Sequence, residues 1–138
     1  MTTSPDFLSV EDVEQLHREQ LELFGGRDGV RDRHALESAV WTPAATFDGR
    51  YLHVGVFSMA AAYAFHIAED QPFVDGNKRT ALNAALVFLG LNGWEVDDPD
   101  ELLYDAMIGI SARTVTKEQL ATLLERLAKP YEDDPDAA

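Results

Sequence analysis

The chain has no cysteine among its 138 residues. That excludes a disulfide framework, a thiolate nucleophile and a Cys-ligated metal, and it is compatible with a reducing cytoplasm. Basic residues are scarce, 11 Lys and Arg against 25 Asp and Glu, for a formal charge of −14. So acidic a surface repels a nucleic-acid backbone and attracts a basic partner segment. Solubility alone would also account for it. The opening residues, Met1 to Asp6, lack the basic patch and apolar run of a signal peptide. No stretch approaches the ~20 apolar residues of a membrane helix. The longest mainly apolar run, Ala81 to Leu91, is broken by Asn83. These absences predict a cytoplasmic protein with no direct nucleic-acid or membrane partner.

What is present is an apolar content of 46%, enough at this length to bury a core without staples. The apolar spacing is helical nearly throughout. Ser9 reads as an N-cap, followed by a face of Val13, Leu16, Leu21 and Phe24 that stops at Gly25-Gly26. Asp32 caps a short helix ended by Thr42-Pro43. Residues 44–53 have no helical period, and Asp48-Gly49 predicts a small hairpin or flap. Long helices follow at about Val56 to Ala68 and Gly76 to Asn92. Asp98-Pro99 opens another and Thr116 caps the last. The prediction is an all-α, compact helical bundle with a short flap before its central helix. One domain covers 1–128, and an acidic, disordered tail covers 129–138.

Between the two long helices lies Gln71-Pro72-Phe73-Val74-Asp75-Gly76-Asn77-Lys78-Arg79-Thr80. A helix start exposes unpartnered amides with partial positive charge. Gly76 leaves the backbone open to a ligand. Asn77 can donate an amide hydrogen, and Lys78 and Arg79 add charge, Arg with a bidentate fork. Together they form a candidate phosphate site. Asp75 is a hard oxygen donor suited to Mg²⁺, or simply a helix cap. Phe73 reads as an inward anchor.

This stretch resembles the Fic/Doc motif His-x-Phe-x-(Asp/Glu)-(Gly/Ala)-Asn-(Lys/Gly)-Arg at every fixed position except the first, where Gln71 stands. The likeness to the Doc (death-on-curing) branch runs from about Leu8 to Leu127. It includes Gly29-Val30-Arg31-Asp32, Phe65-His66-Ile67-Ala68 and Leu89-Gly90-Leu91-Asn92-Gly93, and Lys78 favours that branch. The resemblance implies a toxin of a toxin–antitoxin pair, a kinase that phosphorylates translation elongation factor Tu. It implies Mg²⁺ on Asp75 and ATP phosphates on Gly76, Asn77, Lys78 and Arg79. Phe47, Asp48, Gly49, Arg50, Tyr51, Leu52 and His53 would be the flap that aligns the target. The antitoxin would fold a short segment into a groove.

The resemblance places the catalytic His at position 71. Gln cannot take a proton there, and a positioned general base is worth roughly 10²–10⁴ in rate. Nucleotide binding is therefore expected to survive and transfer to be crippled. Three explanations stand: a natural change of chemistry, an engineered disarming, or another base. Asp70 and His66 are the nearest candidates for that base, although His66 reads better as a core residue. His17 and His34 read as surface or packing residues, and His53, at the flap's end, is a further candidate for reaching substrate. No Glu is followed by Gly or Asn, so the family's self-inhibitory motif is absent. Nucleotidyl transfer, and a non-catalytic pseudoenzyme that binds nucleotide, antitoxin or target, are the alternatives to kinase activity.

Overall fold

The computed structural model describes residues 4–131. Six helices carry the fold: α1 (Val10–Phe24), α2 (Arg33–Trp41), α3 (Val56–Asp70), α4 (Asn77–Leu91), α5 (Leu102–Ser111) and α6 (Lys117–Leu127). Their starts follow local chemistry. Ser9 and Asp12 form a reciprocal capping box on α1, and Thr116 and Gln119 form another on α6. The Asp32 side chain caps α2, and Asp98 takes the amides of Leu102 and Leu103 at the start of α5.

Helices α3 and α4 are the centre. Helix α3 is buried from Met59 to Ala64 on every side, as a central helix must be. Its Ala60, Ala61, Ala64 and Ala68 meet Ala81, Ala84 and Ala85 of α4 within one core. Small side chains let two backbones approach closely, and Phe88, Leu89, Tyr63 and Met59 fill the layers around them. The Tyr63 hydroxyl accepts the Leu8 amide at 2.9 Å. Burial pushes that hydroxyl up to about 12.

The flap is a two-stranded hairpin, β1 (Thr46–Phe47) and β2 (Arg50–Tyr51). Its turn residues Asp48 and Gly49 both have positive φ, 52° and 76°, the geometry that matches strand twist in a two-residue loop.

Three details differ from the sequence expectation. A second ribbon pairs β3 (Trp94–Val96) with β4 (Ala128–Pro130), with Lys129 opposite Glu95. Lys129 and Pro130, assigned above to the tail, thus belong to the fold, and Tyr131 donates its amide to Gly93. Cross-strand pairing outweighs their poor local propensity. Residues 132–138 lie outside the described part. Phe24, expected on the core face of α1, is exposed, because the helix runs past the core at its last turn. Among the described residues, no helix is long and apolar enough to cross a membrane.

Candidate active site

Helix α3 ends at Asp70, and Gln71 turns the chain in the left-handed region (φ 47°, ψ 59°). That conformation is costly for a residue with a Cβ. Arg31 holds it: its guanidinium donates to the carbonyls of Gln71 at 2.7 Å and Asp70 at 2.8 Å. The amides of Arg31 and Asp32 both reach the Pro72 carbonyl, and Val74 donates to Gly29. The segment from Gly29 to Asp32 is therefore a clamp on the turn, and a cation at a helix C-terminus suits its dipole.

Phe73 is 1% exposed. Its ring lies flat on the imidazole of His17, centroids 3.8 Å apart and planes within 5°. His17 is itself buried, and its Nε2 lies 2.8 Å from the Asp75 carbonyl. A carbonyl only accepts, so Nε2 carries the proton. By sequence His17 reads as a surface or packing residue. Its spacing from Val13 and Leu21 on the inner stripe of α1 was the available signal.

Gly76 (φ 78°) is the N-cap of α4, and no side chain among the described residues caps the helix. Asp75 does not cap it. One Asp75 oxygen accepts the Gly76 amide at 3.0 Å and the other the Arg27 amide at 3.2 Å. Both oxygens keep a free lone pair. Gly26 makes room for this carboxylate: a Cβ there would lie 3.1 Å from Asp75 Oδ2. The Asn77 amide is also occupied. It closes the turn by accepting the Phe73 N–H and donating to the Phe73 carbonyl, both at 3.0 Å. Its first task is thus to shape the loop, and one N–H remains for a ligand.

A cavity of about 400 Å³ opens at this helix start. Gln71, Asp75, Gly76, Asn77, Lys78 and Arg79 all line it, together with Val74, Ala68, Tyr104 and Ser111. A second chamber of about 260 Å³, beside Gln20, Phe24 and Gly26, shares Asp75, Gly76 and Arg79 with it. The Arg79 guanidinium sits 3.9 Å over the Phe24 ring and 5.9 Å from that of Tyr104. Two aromatic faces restrain it while its edge stays available. The sequence places Phe24 on the core face of α1 and marks no role for Tyr104, because no motif spacing links α1, α4 and α5.

Neither candidate substitute for a general base lines the cavity. Asp70 is raised by burial and then by the charges of Glu69 and Asp32. His66 faces Lys117 at 3.3 Å, and burial first, then Lys117 and His53, lower it to about 4. The flap residues Phe47 to His53 likewise stand outside the cavity lining; His53 meets Lys117 at 3.0 Å. Among the described residues Asp75 is the one carboxylate on the wall. Among the described residues no cluster of three or more His, Asp or Glu forms a protein-only metal cage. One carboxylate beside an uncapped helix start is a donor set that fits Mg²⁺ completed by a ligand's oxygens and water.

The fold and site define a helical protein whose helix α4 presents an uncapped, cationic N-terminus to an open cavity. The profile of the Fic/DOC family matches residues 7–89. The chain belongs to the Fic/Doc family, on its Doc branch. It is 32% identical over 120 residues to "Protein kinase doc" of Escherichia phage P1, across 87% of this chain and 94% of that protein. It is 40% identical over 86 residues to "Toxin Doc" of Mycolicibacterium smegmatis, across 58% of this chain and 66% of that protein.

Proposed function

We propose that this chain is a Doc-type toxin of a toxin–antitoxin pair, held in check by a separate antitoxin protein. Its site binds Mg²⁺–ATP and directs phosphate to a hydroxyl of a cytoplasmic translation elongation factor, at a rate strongly lowered by Gln71. The observation that supports this most is the cavity wall, where Asp75, Lys78 and Arg79 converge on the uncapped start of α4. Asp75 would hold Mg²⁺, which when bound neutralises phosphate charge. The backbone from Gly76 to Arg79 would hold phosphate oxygens, and Lys78 and Arg79 would balance their charge. Relatives named as a Doc toxin and as a Doc protein kinase agree with this reading.

Gln71 stands on the cavity wall without a proton-accepting side chain, and Asp70 and His66 do not replace it there. The test compares the unaltered chain with Gln71→His, each given Mg²⁺ and γ-labelled ATP in a bacterial translation extract. A labelled elongation-factor band with the His variant, at least about 10²-fold stronger than with Gln, is the expected result. Label from α-labelled ATP instead would make the protein a nucleotidyltransferase. No label from either, with Mg²⁺–ATP still bound by calorimetry, would make it a binding module.

A further inference from the structure

Outside the cavity, three cationic or titratable side chains from three elements meet at one point. His53 lies just past β2, where the flap joins α3; His66 is on α3; Lys117 is the first residue of α6. Lys117 Nζ is 3.0 Å from His53 Nε2 and 3.3 Å from His66 Nε2. An ammonium has only donors. Each Nε2 must therefore present a lone pair, and each ring must be the neutral Nδ1–H tautomer.

The flap needs such support. Two strands of two residues are marginal alone, and Phe47 to Arg50 are exposed. It is also tied by the Leu52 amide on the Ala45 carbonyl, at 3.0 Å, by the Tyr51 ring beside Phe7, and by the His53 ring edge-on to His66.

We infer that Lys117 is a positioning residue for the flap, tethering His53 to His66 and so fixing the hairpin against α3 and α6. The environment favours the neutral rings that this requires. Burial and the Lys117 charge lower both imidazoles, and Glu118, the other charged neighbour, opposes this weakly at His53. His53 Nδ1 is buried and lies toward the Thr42 backbone without completing a hydrogen bond. The hydrogen bond that the His53 ring completes is the one to Lys117, so Lys117 carries the join at this ring. The tether makes no use of the phosphate site, so a failed transfer assay leaves it standing.

Two measurements on the full chain test it. Side-chain ¹⁵N spectra at neutral pH should show both His53 and His66 as Nδ1–H tautomers. An Nε2–H tautomer in either ring overturns the proposal, even if every variant fails to fold. Hydrogen exchange then compares Lys117→Met, His66→Leu and His66→Gln. Flap amides of residues 46–53 should exchange about tenfold faster in Lys117→Met and His66→Leu, with α4 unchanged. His66→Gln keeps an acceptor oxygen and should stay near the unaltered protein. Unchanged flap exchange in Lys117→Met, or an equal rise in α4, would show a packing role only.

Discussion

The imidazole of His17 backs the whole active turn: it stacks on Phe73 at 3.8 Å and binds the Asp75 carbonyl at 2.8 Å. One buried side chain of α1 thus sets two residues of the loop between α3 and α4. The ring fixes where Phe73 sits, and the hydrogen bond fixes how the peptide after Asp75 is turned. That peptide leads directly to the N-cap of α4, so its orientation decides where the first free amides point.

Replacing His17 should separate these two roles. His17→Phe keeps an aromatic face but leaves a partly buried carbonyl unpaired, for a loss of about 1–3 kcal/mol. His17→Ala also opens a cavity and should lose about 3–5 kcal/mol in all. Urea unfolding measures both. Equal losses would mean that the stack contributes nothing.

Gly26→Ala should damage the site more than the fold. Its φ is 121°, and the added Cβ would meet Leu21 Cδ2 at 3.0 Å and Asp75 Oδ2 at 3.1 Å. Strain of about 1–3 kcal/mol is expected. The displaced carboxylate should weaken Mg²⁺–ATP binding about tenfold or more. Calorimetry with and without Mg²⁺ tests this, since a loss equal in both would exonerate Asp75.

Asn77 and Lys78 are neighbours with different work. Asn77→Ala removes two bonds to the Phe73 backbone, so stability should fall by about 1–3 kcal/mol together with nucleotide affinity. Lys78 is exposed on the cavity wall. Lys78→Ala should leave stability within about 0.5 kcal/mol and still weaken Mg²⁺–ATP. Paired thermal melts and titrations distinguish them.

Acid should destabilise the protein through the imidazole pair. His66 is lowered to about 4 by burial, then by Lys117 and His53, whereas an unfolded His titrates near 6.5. Between those values the unfolded chain takes up a proton that the folded chain refuses. Stability is therefore full above about pH 6.5 and declines toward pH 4. The lowered His53 acts in the same direction. Carboxylates add their own pH dependence. The check is the difference in melting temperature between pH 7 and pH 5, which should be smaller in His66→Gln than in the unaltered protein.

The sequence by itself determined the helices and the residues offered by the turn, because both are written at short range. Ser9, Asp32 and Thr116 each bond an amide three residues on, and apolar spacing marks each buried face. The order from Gln71 to Arg79 likewise carries its meaning locally. Tertiary structure alone decided which distant groups hold that turn in shape. His17 lies 58 positions from Asp75, Arg27 lies 48, and Arg31 lies 40 from Gln71. It also carried His66 and Asp70 off the cavity wall and drew Lys129 into a strand beside Glu95. No periodicity reports such pairings, since each depends on how α1, α3, α4 and α6 pack. Burial of the apolar faces sets that packing, and the polar groups then bond with whatever the packing brings within reach.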